Sequence, residues 1–262
     1  MKAWPPQHMA TLVMVCCAVL VAVGQRATCG EPSRSTIDKM ESAAPEEPTV
    51  TPVEPRKLLV LCRSWGYKHS AIPYGAKAIE IMARKTGAFD AVITSDVNLF
   101  EPGRLEQFDA VFLNNCNNEV FLPSPEELGR MSESGRKKTR RRAATLRKNL
   151  QDFVRDGGGL VGLHAAVAAF RKWPDYGKII GARYNNHPWN SGSTVTLKVE
   201  EPGHPLTAAF EGARFEVTDE IYQVRDPYSR DKVRVLLSID TKRTDMDVGG
   251  IHREDGDFAI SW

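Results

Sequence analysis

Gly157-Gly-Gly-Leu-Val-Gly-Leu-His164-Ala-Ala166 is the stretch whose reading decides the fold. The glycines open a tight turn, the residues after them make a short buried strand, and the chain turns again at His164 into an alanine-rich helix start. That is a strand-to-helix elbow. In doubly wound sheets, ligands bind beyond the carboxyl ends of the strands, so His164 stands where chemistry is expected.

Working outward, Lys57-Leu-Leu-Val-Leu-Cys62, Ala88-Phe-Asp-Ala-Val-Ile-Thr94 and Asp109-Ala-Val-Phe-Leu-Asn114 are short continuous apolar runs, which read as strands buried on both faces. Between the first two, residues 74–85 carry Ala78, Ile81 and Met82 at helical spacing, with Gly87 as a stop. Residues 125–155 read as one or two helices. Strand, helix, strand with short connections calls for a mainly parallel sheet with helices on both faces and right-handed crossovers, a flavodoxin-like α/β fold. Asn114, Asn115 and residues 64–70 follow the other parallel strands and face the same crevice as His164. The last third changes character: residues 193–199 alternate as a strand with one wet face, residues 231–238 supply another, and the polar, Gly-rich residues 241–256 read as a loop.

At the other end, Lys2 precedes an uncharged run from Met9 to Val23, and Ala27-Thr-Cys29 has the small-x-small form that signal peptidase cleaves, so residues 1–29 read as a signal peptide and the protein as secreted or periplasmic. The run is shorter than the roughly 20 residues that span a bilayer, so no stable membrane anchor is expected after cleavage. Residues 30–55 are rich in Pro, Glu, Ser and Thr and read as a disordered linker, which leaves residues 56–262 as one folded domain. The whole chain has 35 Lys and Arg against 33 Asp and Glu; without Lys2 and Arg26 the two are equal, and a nucleic-acid partner is not expected. The basic run Arg136-Lys-Lys-Thr-Arg-Arg-Arg142 has no interleaved aromatic residue and reads as a solvated helix face. Cys62 and Cys116 alone survive cleavage, too few for a disulfide scaffold; whether they form a single bridge stays open.

Several motifs together resemble the ThuA-like family, named from trehalose utilisation: Trp65-Gly-Tyr67-Lys-His69-Ser70, the glycine-rich elbow with His164, Trp173 with Tyr176 and Gly181, His187-Pro188, His204-Pro205, and Asp219-Glu220-Ile-Tyr222. The resemblance implies a core similar to class I glutamine amidotransferases and an association with sugars, including oxidised (3-keto) glycosides. It also exposes a departure. Relatives continue into a Gly-Arg-containing strand and a Gly-His-Arg turn, whereas this sequence stops at Phe258-Ala-Ile-Ser-Trp262, so a domain lacking its last C-terminal elements is expected.

In a glutamine amidotransferase the elbow residue is a nucleophilic cysteine. Here it is His164, so that activity is rejected, and the helix start behind it favours a neutral imidazole. The family match brings His69, His187, Asp219 and Glu220 toward it. This set suits acid/base chemistry with His164, Asp219 and Glu220 as the catalytic groups. It equally suits a divalent metal such as zinc held by His164, His187 and Glu220. Trp65, Tyr67, His69, Asn115, His187 and Tyr222 are the expected contacts to a small-molecule carbohydrate, whose C–H faces stack on aromatic rings. Trp173 and Tyr176 read as core, and His204-Pro205 as a turn. A non-catalytic carbohydrate-binding protein and an inactive truncated relative are the rival readings.

Overall fold

The computed structural model describes residues 31–262, so the expected signal peptide lies outside the described residues. The apolar runs become β1 (Lys57–Leu61), β2 (Asp90–Thr94), β3 (Ala110–Asn114) and β4 (Gly159–Leu163), all parallel, in the order β2-β1-β3-β4. That order is flavodoxin-like. β1 lies between two partners, and Leu59, Val60 and Leu61 are all fully buried, which is why its sequence is continuously apolar.

Helices lie on both faces of the centre of the sheet, but the edges are open: β4, expected to be buried, has no buried residue and exposes Val161 and Leu163, and Ile93 of β2 is exposed too. On one face, α4 (Glu133–Arg155) lays Ala143, Leu146 and Leu150, spaced three and four apart, on Leu59, Leu61, Val111 and Leu113, with Phe100, Trp173 and Tyr176 in the same cluster. α2 (Ile72–Thr86) packs against β2 and β3, and Asn114 Nδ2 donates to the Ile72 carbonyl at 2.8 Å. Gly87 ends α2 in the left-handed conformation, φ 61°, as a C-terminal glycine should. The helical stretch expected over 125–155 divides into α3 (Pro125–Arg130), opened by a Ser124–Glu127 capping box, and α4, capped by Ser132. Lys137, Lys138, Arg140 and Arg141 of the basic run point to solvent, as expected of a solvated face.

The linker expectation fails over part of its length. Residues 34–43 form α1 (Arg34–Ala43), which buries no apolar side chain and is held by polar contacts. Ser33 caps its start, Arg84 pairs with Glu41, and Lys85 Nζ donates to the carbonyls of Glu41 and Ala44 at 2.6 and 2.8 Å, satisfying the free C-terminal carbonyls. Composition reports on apolar burial and is blind to a helix fixed this way.

After β4 come α5 (Pro174–Ile180) and an antiparallel region. β5 (Arg183–Trp189) pairs with β8 (Ile221–Arg225) in a two-stranded ribbon; β6 (Thr194–Val199), β7 (Phe215–Thr218), β9 (Leu237–Ile239) and β10 (Ala259–Ser261) form a sheet in the order β10-β9-β6-β7. Trp189 and Phe258, edge to face at 5.3 Å, anchor a second core there. The strand expected at 231–238 is confined to its end. Residues 231–233 are occupied by a turn in which Lys232 and Val233 donate to the Ser229 carbonyl, and cross-strand hydrogen bonding begins only at Leu236, which donates to the Ser261 carbonyl and accepts from the Glu200 amide. The loop expected at 241–256 has no strand, and buried Gln223 fastens it by accepting from the His252 and Arg253 amides. Cys62 and Cys116 are free thiols, and complete burial pushes Cys116 up to about 12, so it is inert.

Leu146 is the middle residue of the buried stripe on α4, and it is fully buried in the main core. Leu146→Ala should cost about 2–5 kcal/mol of unfolding free energy with an unchanged denaturant slope, as urea unfolding would read.

Candidate functional site

The site is built where β3 and β4 end. Asn114 pairs with Leu163 in register, so Asn115 and His164 leave the sheet side by side, with φ 51° and 48°. Two adjacent non-glycine residues in the left-handed region are unusual, and each redirects its side chain away from the strand line. Beyond His164 the chain makes a short 3-10 turn, His164–Ala168, where a helix start is expected from sequence. Extended Ala169 and left-handed Phe170 stop it. The expected helix dipole is thus reduced to one turn, and burial takes over its role.

His69 arrives from the loop after β1, largely buried, with its ring edge-on to His164 at 4.6 Å. From the other side comes the β5–β8 ribbon, which packs on the 3-10 turn. The residue just before β8, Glu220, reaches His164 Nε2 through Oε2 at 3.3 Å and His187 Nδ1 through Oε1 at 3.4 Å. Tyr222 lies over the His164 ring with centroids 4.3 Å apart, and Tyr184 meets Tyr222 at 4.8 Å. One carboxylate therefore spans two imidazoles, and three further rings, those of His69, Tyr222 and Tyr184, enclose them.

Burial sets the charge states. It is the largest influence on His164 and His69 and lowers both; for His69 the neighbouring His164 lowers it further, while Glu220 and Asp219 pull both back up. Both rings are neutral near pH 7. Burial, with Glu220 adding to it, raises Tyr222 and Tyr184, so both remain phenols able to donate a hydrogen bond. When His164 donates its Nε2–H to Glu220, its Nδ1 keeps the free lone pair, which can accept a proton or bind a metal. One imidazole nitrogen from each of His69 and His164 and one carboxylate oxygen of Glu220 lie within 4.8 Å of one another.

The structure thus gathers His69, His164, His187, Glu220 and Tyr222 at one point. Other expected residues have different employment. Asp219 is exposed and accepts from the Glu220 amide at 2.7 Å; it acts on the imidazoles through its field and fixes the turn that presents Glu220. In the compact three-ligand group His69 takes the place expected of His187, which meets Glu220 from the opposite side. Trp65 is tied to the wall, its indole donating to the Leu122 carbonyl at 3.0 Å beneath the Arg63 guanidinium. Tyr67 is exposed, edge-on to His69 at 4.8 Å. Asn115 is buried, donates to Asn114 Oδ1, and its own Oδ1 meets no donor among the described residues. Trp173 and Tyr176 are core, as expected, and His204 caps the short turn after it by accepting from the Leu206 amide. Tyr184 was not legible: Arg183-Tyr-Asn-Asn-His187 lacks apolar alternation, and the only hint was its place three residues before His187.

Comparison with known proteins gives a consistent result. The family model ThuA, described as trehalose utilisation, matches residues 57–262. Among solved structures, a ThuA-like protein from Bacteroides uniformis ATCC 8492 is 21% identical, with a TM-score of 0.56 over 82% of this chain and 78% of that one. A ThuA-like protein from Parabacteroides merdae ATCC 43184 is 18% identical, with a TM-score of 0.45 over 71% of this chain and 68% of that one. No curated protein matches the chain.

The lowered values of His164 and His69 fix the sign of a pH effect. As pH falls through the ordinary histidine range near 6.5, the unfolded chain takes up protons that the buried rings resist, so stability declines from pH 7 toward pH 5. His164→Gln should make that decline shallower, read as the urea midpoint at pH 7 and 5.5; an equal decline in both proteins would contradict the assignment.

Proposed function

Since this chain belongs to the ThuA family, we propose that it is an exported protein that acts on a carbohydrate-type small molecule through acid/base chemistry at the His164–Glu220–His187 centre. The observation that carries this reading is the placement of one Glu220 oxygen against each imidazole. A carboxylate so placed fixes the tautomer of both rings and stabilises whichever becomes charged, the arrangement general acid/base catalysis requires. His69 restricts the far side of His164, and Tyr67, Tyr184 and Tyr222 offer ring faces and hydroxyls to a sugar.

An oxidised glycoside fits this centre best. A ketone at C3 acidifies the C2 proton, which His164 Nδ1 can take while Glu220 balances the imidazolium. Expulsion of the glycosidic oxygen from C1, protonated by the Nε2–H of His187 in its imidazolium form, then leaves a C1–C2 double bond and a neutral His187. The C2–H and C1–O bonds break, one π bond forms, and one proton is taken up for each delivered. Acyl transfer from glutamine is not proposed, because His164 occupies the nucleophile position and Cys116 is a buried, inert thiol.

A second reading rests on the compact group of His69, His164 and Glu220: two neutral imidazoles and a carboxylate suit zinc or another divalent ion, which would supply Lewis acidity toward a carbonyl. His164→Ala separates these readings from a binding protein without turnover. An acid/base enzyme loses about 10²–10⁴-fold in turnover and keeps its ligand affinity. Elemental analysis of the purified protein, before and after that substitution, decides the metal: a stoichiometric ion that disappears with His164 supports it, and a metal-free active protein refutes it.

A further inference from the structure

A second polar constellation lies on the other side of Tyr184. A cavity of about 160 Å³ is floored by Phe170, Trp173 and Tyr176 and rimmed by Arg171, Arg183 and Arg225, and no acidic residue lines it. Arg183 and Arg225 are direct cross-strand partners on β5 and β8. Like charges placed opposite each other destabilise a ribbon, and here no carboxylate relieves them: among the described residues none of the three arginines is in an ion pair, although the chain as a whole has nearly as many acids as bases.

The guanidiniums are held and yet retain free donors. Arg225 donates Nε to the Tyr184 carbonyl at 3.2 Å, which leaves its two terminal nitrogens for something else. Arg183 donates weakly to the Arg171 carbonyl at 3.4 Å, and its stem runs where Gly177 has no side chain; a Cβ there would come 2.6 Å from Arg183 Cγ. Arg171 makes no side-chain hydrogen bond among the described residues and lies over the Tyr184 ring at 5.2 Å. Planar forks of donors over an apolar floor suit an oxyanion, since the low-dielectric wall strengthens each charge-assisted bond.

The cavity and the imidazole centre share Tyr184. Its ring lines the cavity and touches Tyr222, which covers His164.

We propose that Arg171, Arg183 and Arg225 form an oxyanion subsite that holds a carboxylate or phosphate group of the same small molecule whose polyol part lies at His164. The subsite itself stands on its own geometry; its assignment to the substrate rests on the function proposed above. Calorimetric titration of the whole protein at constant ionic strength, with inorganic phosphate as probe, tests the first part. Phosphate should bind saturably where chloride does not. The exposed Arg171→Gln and Arg225→Gln, each removing charge-assisted bonds, should each weaken it about tenfold. His164→Ala should leave the isotherm unchanged. Phosphate no tighter than chloride, or loss with His164→Ala in place of Arg225→Gln, overturns the subsite. Competition tests the second part: glucuronate and glucose 6-phosphate should displace phosphate while glucose does not, the better competitor telling carboxylate from phosphate, and failure of both sugar acids overturns the link to the substrate. Loss of the acid/base reading would appear as turnover indifferent to His164→Ala with the phosphate isotherm intact.

Discussion

The left-handed turn at His164 constrains everything around it. A side chain with a Cβ costs on the order of 1–2 kcal/mol in that conformation, and glycine would adopt it freely. A histidine there is held only because its surroundings over-determine it. Glu220 fixes one nitrogen, Tyr222 covers one face, and His69 closes on the edge. Parallel pairing supplies the remaining restraint, because the β3–β4 ladder runs to Asn114 and Leu163 and releases both chains at the same level. Gly162 just before the turn is needed for the same reason: a Cβ there would come 2.6 Å from Ile180 Cδ1 and 3.1 Å from Ala166 Cβ, so α5 and the 3-10 turn close directly onto the strand backbone.

The site is a joint between two architectures. The parallel sheet contributes His69, Asn115 and His164, and the antiparallel ribbon contributes Tyr184, His187, Glu220 and Tyr222. The geometry of Glu220 thus depends on how rigidly the ribbon is held against the sheet. Buried Gln223 bears much of that load. Its amide donates to Asn186 Oδ1 at 2.6 Å across the ribbon, and its carbonyl oxygen accepts two amides from the loop behind. Trp189, at the far end of β5, is fully buried and donates to the Asp245 carbonyl at 3.1 Å, so the same loop is pinned twice. A long loop without strands serves here as a brace.

The parts of this molecule that were legible in sequence are those where one physical force dominates. Continuous apolar runs gave β1 and β3 because both faces of the sheet are covered there, whereas β2, read the same way, is an edge strand with no buried residue and Ile93 exposed; the glycine-flanked elbow marked His164 because a turn that sharp needs residues without side chains around it. The parts that were not legible answer to forces that leave no periodic trace. α1 is held by Lys85 and Arg84 from another helix, and β5 buries only its last two residues, so the polar Arg183, Asn185, Asn186 and His187 before them leave no apolar pattern. Asp219 and Glu220 were equivalent in sequence. The turn before β8 separates them, sending one carboxylate to a backbone amide and the other to two imidazoles.

The electrostatics on the two sides of Tyr184 are opposite in character, and each side accounts for the other. Around His164, burial suppresses positive charge, and Glu220 is the charge that neutral rings and phenols surround. On the arginine side, positive charge accumulates without a counter-ion. Arg171 acts on both tyrosines in the sense opposite to Glu220, lowering Tyr184 and Tyr222 where Glu220 raises them, so the phenols lie in the field between a carboxylate and a guanidinium. A neutral molecule would gain little from such a gradient. One with a negative end and a hydroxylated body would be oriented by it before any hydrogen bond forms, the negative end drawn to the arginines and repelled by Glu220, which leaves the polyol end facing the imidazoles.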